Sequence, residues 1–128
     1  MGKIADNVIR IPTTSADGNF FRYWFEILKP FHKLTDRETD VLTAIAKRRH
    51  DLAKVISDEN ILNQVLMNEE SRVELRNILE MSSSQFQSNL SKLKKNNIMV
   101  DNAINPRFIP NLKEDEKYFK LLFLFELK

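Results

Sequence analysis

The sequence has no cysteine, which excludes disulfides, a thiolate zinc site and a cysteine nucleophile together. A chain without thiols fits a reducing compartment, and a cytoplasmic location is the expectation. Two glycines and four prolines in 128 residues leave little material for tight turns, so long helices should dominate. His32 and His50 are the only histidines, and no acidic residue stands near either at metal-ligand spacing. There is no glycine-rich phosphate loop and no Ser-His-Asp order. Glu69 and Glu70 are adjacent, so on a helix they diverge and cannot act as an acid-base pair. An enzyme, a cofactor and a bound metal are therefore not expected. The longest apolar run, LLFLF at 121–125, is far too short to span a bilayer, and the opening MGKIADNVIRIP has no apolar signal-peptide region. No membrane association is expected.

What is present suffices for one core. With 42% hydrophobic and 9% aromatic residues, a chain of this length predicts a single domain over residues 1–128. The net charge of +2 conceals an uneven distribution. Residues 34–81 carry seven cations and ten anions, whereas residues 82–113 carry five cations and one anion. A basic patch on a near-neutral chain can steer a polyanion to one face.

The elements read in order as follows. VIRI at 8–11 alternates β-branched residues before Pro12 and predicts a short strand. In TTSADGN, Asp17, Gly18 and Asn19 offer a turn or a cap. FFRYWFEILK spaces Phe20, Phe21, Trp24, Phe25 and Leu28 as a helix that Pro30 closes, buried in a core or a subunit interface. LTDRETDVLTAIAKRR opens with a capping box, Thr35 with Glu38, and presents Val41, Leu42, Ile45 and Ala46 as an inner face. Its acidic start and its basic end, Lys47 to Arg49, both suit the helix dipole. Residues 50–68 continue this helix or form a second one, with a break near Asn68. SRVELRNILEM gives a further helix through Val73, Leu75, Ile78 and Leu79. Then Ser82 or Ser83 caps a polar helix in which Phe86, Leu90 and Leu93 form a narrow apolar stripe, ended by Asn96 or Asn97 in the left-handed conformation. IMV at 98–100 and RFIPNL at 107–112 predict a hairpin across DNAINP. The tail YFKLLFLFELK predicts a buried strand, paired with VIRI, with a helix as the alternative.

Residues 34–112 resemble a winged helix-turn-helix domain. The stretch MSSSQFQSNLSKLKKNNIM is similar to the recognition helix and following strand of MarR-like regulators, and LTDRETDVLTAIA resembles the opening helix of many such domains, LuxR-type ones included. NPRFIPNL and the apolar tail extend the resemblance to small proteins of crAss-like phages, for which the location would be the host cytoplasm. The chain departs from the pattern in its long 47–70 stretch, in lacking a glycine near Asn97, and in having one arginine in the wing DNAINPR. The expected fold class is accordingly mainly α with a small β-sheet: a strand and aromatic helix over 1–33, a helix-turn-helix core and wing over 34–113, and a C-terminal strand over 114–128.

The resemblance implies double-stranded DNA as partner, with the polar helix entering the major groove. Glutamine and asparagine can pair with adenine edges and serines allow close approach to phosphates. Ser83, Ser84, Gln85, Gln87, Ser88 and Asn89 are then the candidate readers, with Lys92, Lys94, Lys95 and Arg107 on phosphates. The competing expectation is an ordinary solvated helix face. The apolar terminal segments point to a homodimer or a protein partner, and so to a second function class: a phage assembly or protein-interaction module that keeps the same scaffold.

Overall fold

A computed structural model describes residues 8–13, 20–110, 112 and 118–128. Among them are five helices and one two-stranded antiparallel sheet, so the chain is mainly α with a small β element. The TTSADGN loop, but for Thr13, lies outside the described residues, as do residues 114–117 of the expected C-terminal strand.

Helix α1, Phe20–His32, buries Phe21, Trp24 and Phe25 along one face. Pro30 does not close it. The proline sits in the last turn, where it deletes a single ladder bond, and the burial of the aromatic face holds the helix through it. Helix α2, Asp36–Ala53, starts at the expected capping box. The Thr35 hydroxyl accepts from the Glu38 N–H at 3.1 Å, and the Glu38 carboxylate accepts from the Thr35 N–H at 3.1 Å. Val41, Leu42, Ile45 and Ala46 are buried, and α2 is the central helix against which the other four pack.

The stretch after residue 47 combines both expectations. α2 runs on to Ala53, and a separate helix α3, Glu59–Leu66, follows with Asp58 as its cap. Asn68 marks the break, capping helix α4, Glu69–Leu79, through the Ser71 N–H at 2.8 Å. Of the apolar set expected on α4, Leu75 is buried and Leu79 half-buried, while Val73 and Ile78 face solvent. Helix α5, Ser83–Lys95, begins with a second capping box, Ser82 with Gln85, and seats Phe86, Leu90 and Leu93 fully in the core.

Strand β1, Met99–Val100, pairs with β2, Ala103–Ile104, so that Met99 faces Ile104 and Val100 faces Ala103. The return strand is therefore not RFIPNL. Asp101 turns the chain at φ 57°, pairing resumes two residues later, and Asn105 then caps a short 3-10 turn, Pro106–Phe108, whose proline cannot donate to a ladder.

Two other strand expectations fail. Residues 8–11 are irregular and exposed, and residues 118–128 form neither a strand nor a helix. The two segments do not pair, and burial along both faces of the tail, which the sequence suggests, needs a sheet partner that the described residues do not supply. Aromatic contacts anchor the tail to α1 instead. Phe119 packs edge-on against Phe20 at 5.3 Å and Trp24 at 5.4 Å, and Phe123 stacks on Phe31 at 5.2 Å. The Trp24 indole N–H donates to the Phe108 carbonyl at 2.9 Å, tying α1 to the 3-10 turn. No helix among the described residues is long and apolar enough to cross a membrane.

Candidate nucleic-acid interface

Helices α4 and α5 are joined by three residues, Glu80, Met81 and Ser82. Glu80 adopts φ 55°, its N–H donates to the Asn77 carbonyl at 3.3 Å, and the Met81 N–H reaches the Arg76 carbonyl at 2.9 Å. Those two bonds close α4 in the left-handed manner, and the buried Met81 side chain plugs the corner. Ser82 then starts α5: its hydroxyl accepts from the Gln85 N–H at 3.1 Å, and the Gln85 side-chain oxygen accepts from the Ser82 N–H at 3.0 Å.

With Phe86, Leu90 and Leu93 inward, the 3.6-residue period dictates what points away from the core. Ser84, Ser88, Ser91 and Lys95 follow one another at spacings of four, three and four along the outermost line. Gln85 and Lys92 lie on one side of that line, Gln87 and Lys94 on the other. Ser83 and Asn89 sit at the margins of the buried stripe. All the predicted α5 residues are exposed except Asn89, which is half-buried.

Not all are equally free. The Gln85 oxygen is occupied by the cap, and the Asn89 amide donates to the Gln85 carbonyl at 2.8 Å. The side chains of Ser84, Gln87, Ser88 and Ser91 make no hydrogen bond among the described residues. A shallow depression beside the outermost line is lined by Arg37, Ser84, Gln85, Ser88 and Asn89.

Charge sets α5 apart. It contains no acidic residue, and Lys92, Lys94 and Lys95 form no ion pair among the described residues. The rest of the helical body pairs many of its cations. Arg22 is bonded to Asp40 and Glu26, Lys29 to Asp36, Arg48 to Glu74 at 2.7 Å, and Arg49 to Glu59 at 2.6 Å. The three lysines also occupy the last turn of α5, where they complement the dipole.

Arg107 stands apart from this group. It is exposed in the 3-10 turn, with its guanidinium over the Phe108 ring at 5.8 Å from the centroid, and does not line the depression. The hairpin turn itself carries Asp101 and Asn102, and the cation beside it is Arg72 of α4. Arg72 donates to the Asn102 side chain at 3.5 Å and to the Met67 carbonyl at 2.9 Å.

Ser91, Arg37 and Arg72 lie beside these residues but are not among the contacts expected from the sequence. Ser91 was legible from helical spacing alone. Arg37 carried a weaker signal: it is a cation in the first turn of α2, the wrong sign for that end of the dipole. There it contacts Asp40 at 3.6 Å and donates to the Leu79 carbonyl at 3.5 Å, placing its charge beside the α4–α5 corner. Arg72 depends on the register of the hairpin and had no local signal. No group of three or more potential ligands that could hold a metal occurs among the described residues. No protein-family model, curated protein or solved structure matches the chain.

Proposed function

We propose that the chain is a sequence-reading protein of double-stranded DNA on a winged helix-turn-helix scaffold, acting in transcriptional regulation or in phage DNA transactions. One observation carries this reading: α5 presents hydroxyls and amides first and uncompensated lysines later, without one carboxylate on the helix. The three-residue corner between α4 and α5 has the length typical of helix-turn-helix motifs. In that docking mode the early residues of the second helix meet base edges and the later ones meet phosphates. Gln87, whose amide is free, is the best placed base reader. Ser84, Gln85 and Ser88 approach alongside it, and Ser83 and Asn89 contribute from the margins. Lys92, Lys94, Lys95 and Arg107 neutralise phosphates, joined by Arg37, and the Ser91 hydroxyl donates a hydrogen bond to one.

Salt tests this. Each phosphate neutralised contributes a log-log slope of about −0.9. Changing Lys92, Lys94 and Lys95 together to alanine should therefore flatten the salt dependence of duplex binding by up to about 3, measured by fluorescence anisotropy across a salt series. An unchanged slope removes α5 from the interface. Gln87→Ala should lose affinity for a preferred site selectively, whereas equal loss on all duplexes would reduce Gln87 to a backbone contact.

A second reading, a non-enzymatic protein-interaction or virion-assembly module on the same scaffold, is favoured by the exposed apolar side chains of residues 118–128. Under that reading duplex binding is weak at all salt concentrations and indifferent to the lysine changes.

A further inference from the structure

Residues 118–128 form no regular element, and their backbone makes no hydrogen bond to other backbone among the described residues. Their exposure alternates from Tyr118 to Leu124: Phe119, Leu121 and Phe123 are 36%, 40% and 44% exposed, whereas Tyr118, Leu122 and Leu124 are 68%, 83% and 80% exposed, and beyond them Phe125 and Leu127 stand clear at 79% and 95%. From Tyr118 to Leu124 the segment thus has the side-chain period of a strand, with Phe119 and Phe123 resting on its own aromatic helix, and among the described residues it has no neighbour to satisfy its edge.

From this we infer that the tail pairs with the same residues of a second copy, forming an antiparallel two-stranded ribbon centred on Phe123 and making the protein a homodimer. Residues directly opposite in such a ribbon project to the same face. With Phe123 on the two-fold axis, Lys120 lies opposite the second copy's Glu126, and Glu126 opposite its Lys120. Leu122 meets Leu124, Leu121 meets Phe125, and Phe119 meets Leu127. Other registers are poorer. A shift of one residue between the strands sets the α1-facing side of one tail against the outer side of the other. Centring on Leu124 opposes Lys120 to Lys128, and centring on Leu122 sets Lys120 against Leu124 and Glu126 against Tyr118. The charges therefore select one isologous pairing.

A free two-stranded ribbon is marginal in water, but here each strand is backed by α1 through Phe119 and Phe123. The inference does not depend on DNA binding.

Sedimentation equilibrium of the full chain should give twice the 15.1 kDa monomer mass. Lys120→Glu places like charges opposite each other twice per dimer, as does Glu126→Lys, and each should weaken dimerisation by about tenfold or more. The double variant K120E/E126K should restore it. So should mixing the two single variants, because their heterodimer has opposite charges at both positions. In this cysteine-free chain, Phe123→Cys should form an intermolecular disulfide across the two-fold axis, while Leu121→Cys, displaced from its own copy by the register, should not. A wild-type monomer, a dimer unaffected by either reversal, or a failure of the mixed variants to associate overturns the pairing.

Discussion

Among the described residues, four non-glycine positions hold positive φ: Lys33 at 52°, Glu80 at 55°, Asn97 at 60° and Asp101 at 57°. Three of them end helices. In each, the next N–H reaches back to a carbonyl five residues earlier: Leu34 to Lys29 at 3.1 Å, Met81 to Arg76 at 2.9 Å and Ile98 to Leu93 at 3.0 Å. Asparagine tolerates this conformation, but lysine and glutamate pay a steric cost that glycine avoids. Glu80→Gly should therefore stabilise the fold by about 0.5–1 kcal/mol, the relief of strain offset in part by the entropy of glycine in the unfolded chain. A raised urea midpoint with an unchanged m-value would show it. Lys33→Gly should move in the same direction and Asn97→Gly less. Asn97 as a helix end was legible because asparagine itself favours the left-handed region. Glu80 was not, because its propensity points elsewhere and the burial of Met81, a tertiary fact, fixes the corner.

Helices announce themselves by local chemistry, and here the junction of α1 and α2 adds an electrostatic device to it. Lys29 near the end of α1 bonds Asp36 at the start of α2. The hydrogen bond, reinforced by the Lys29 charge, holds the Asp36 carboxyl below its ordinary range, and the same bond to Asp36 raises the Lys29 ammonium above its own. A lowered carboxyl pKa contributes stability that is present above the unfolded value and lost as pH falls through the folded one. A raised ammonium pKa contributes stability that is present below the unfolded value and lost as pH rises through the folded one. The pair thus supports the junction across neutral pH and fails at both extremes, weakly, because both groups are solvated and screened. Lys29→Gln should lower the urea midpoint slightly at neutral pH, and its difference from wild type should vanish in acid and shrink in added salt. The same locality explains what the sequence made legible. Thr35 with Glu38 is a box written within four residues, a serine at 82 or 83 is a cap by residue type, and the stripe of Phe86, Leu90 and Leu93 needs only the helical period, so the α2 start and the exposed flank of α5 could be read directly. VIRI, RFIPNL and the tail could not. A strand requires a partner, and partner choice is non-local: Asp101 turned the chain early, and the tail met aromatic rings rather than a sheet.

At the scale of the molecule, the buried set is continuous from Phe21, Trp24 and Phe25 of α1, through Val41, Leu42 and Ile45 of α2, to Phe86, Leu90 and Leu93 of α5 and Met99 and Ile104 of the hairpin. One bond spans most of that path. Trp24 and Phe108 are 84 positions apart, and the indole N–H is the donor to the buried Phe108 carbonyl. Replacing the indole by phenyl keeps an aromatic ring against Phe119 but leaves that carbonyl without its donor. Trp24→Phe should therefore cost about 1–3 kcal/mol. If the core is a single cooperative unit, this loss is shared: the slowest-exchanging amides of α5 should accelerate by the same factor as those of α1, because both exchange only through global opening. Hydrogen exchange followed by mass spectrometry on wild type and variant would measure the two factors side by side. Faster exchange confined to α1 and the 3-10 turn would instead make these a separate unit laid over the α2–α5 body, and the mutation would then leave the α5 face, with its serines and lysines, as firmly held as before.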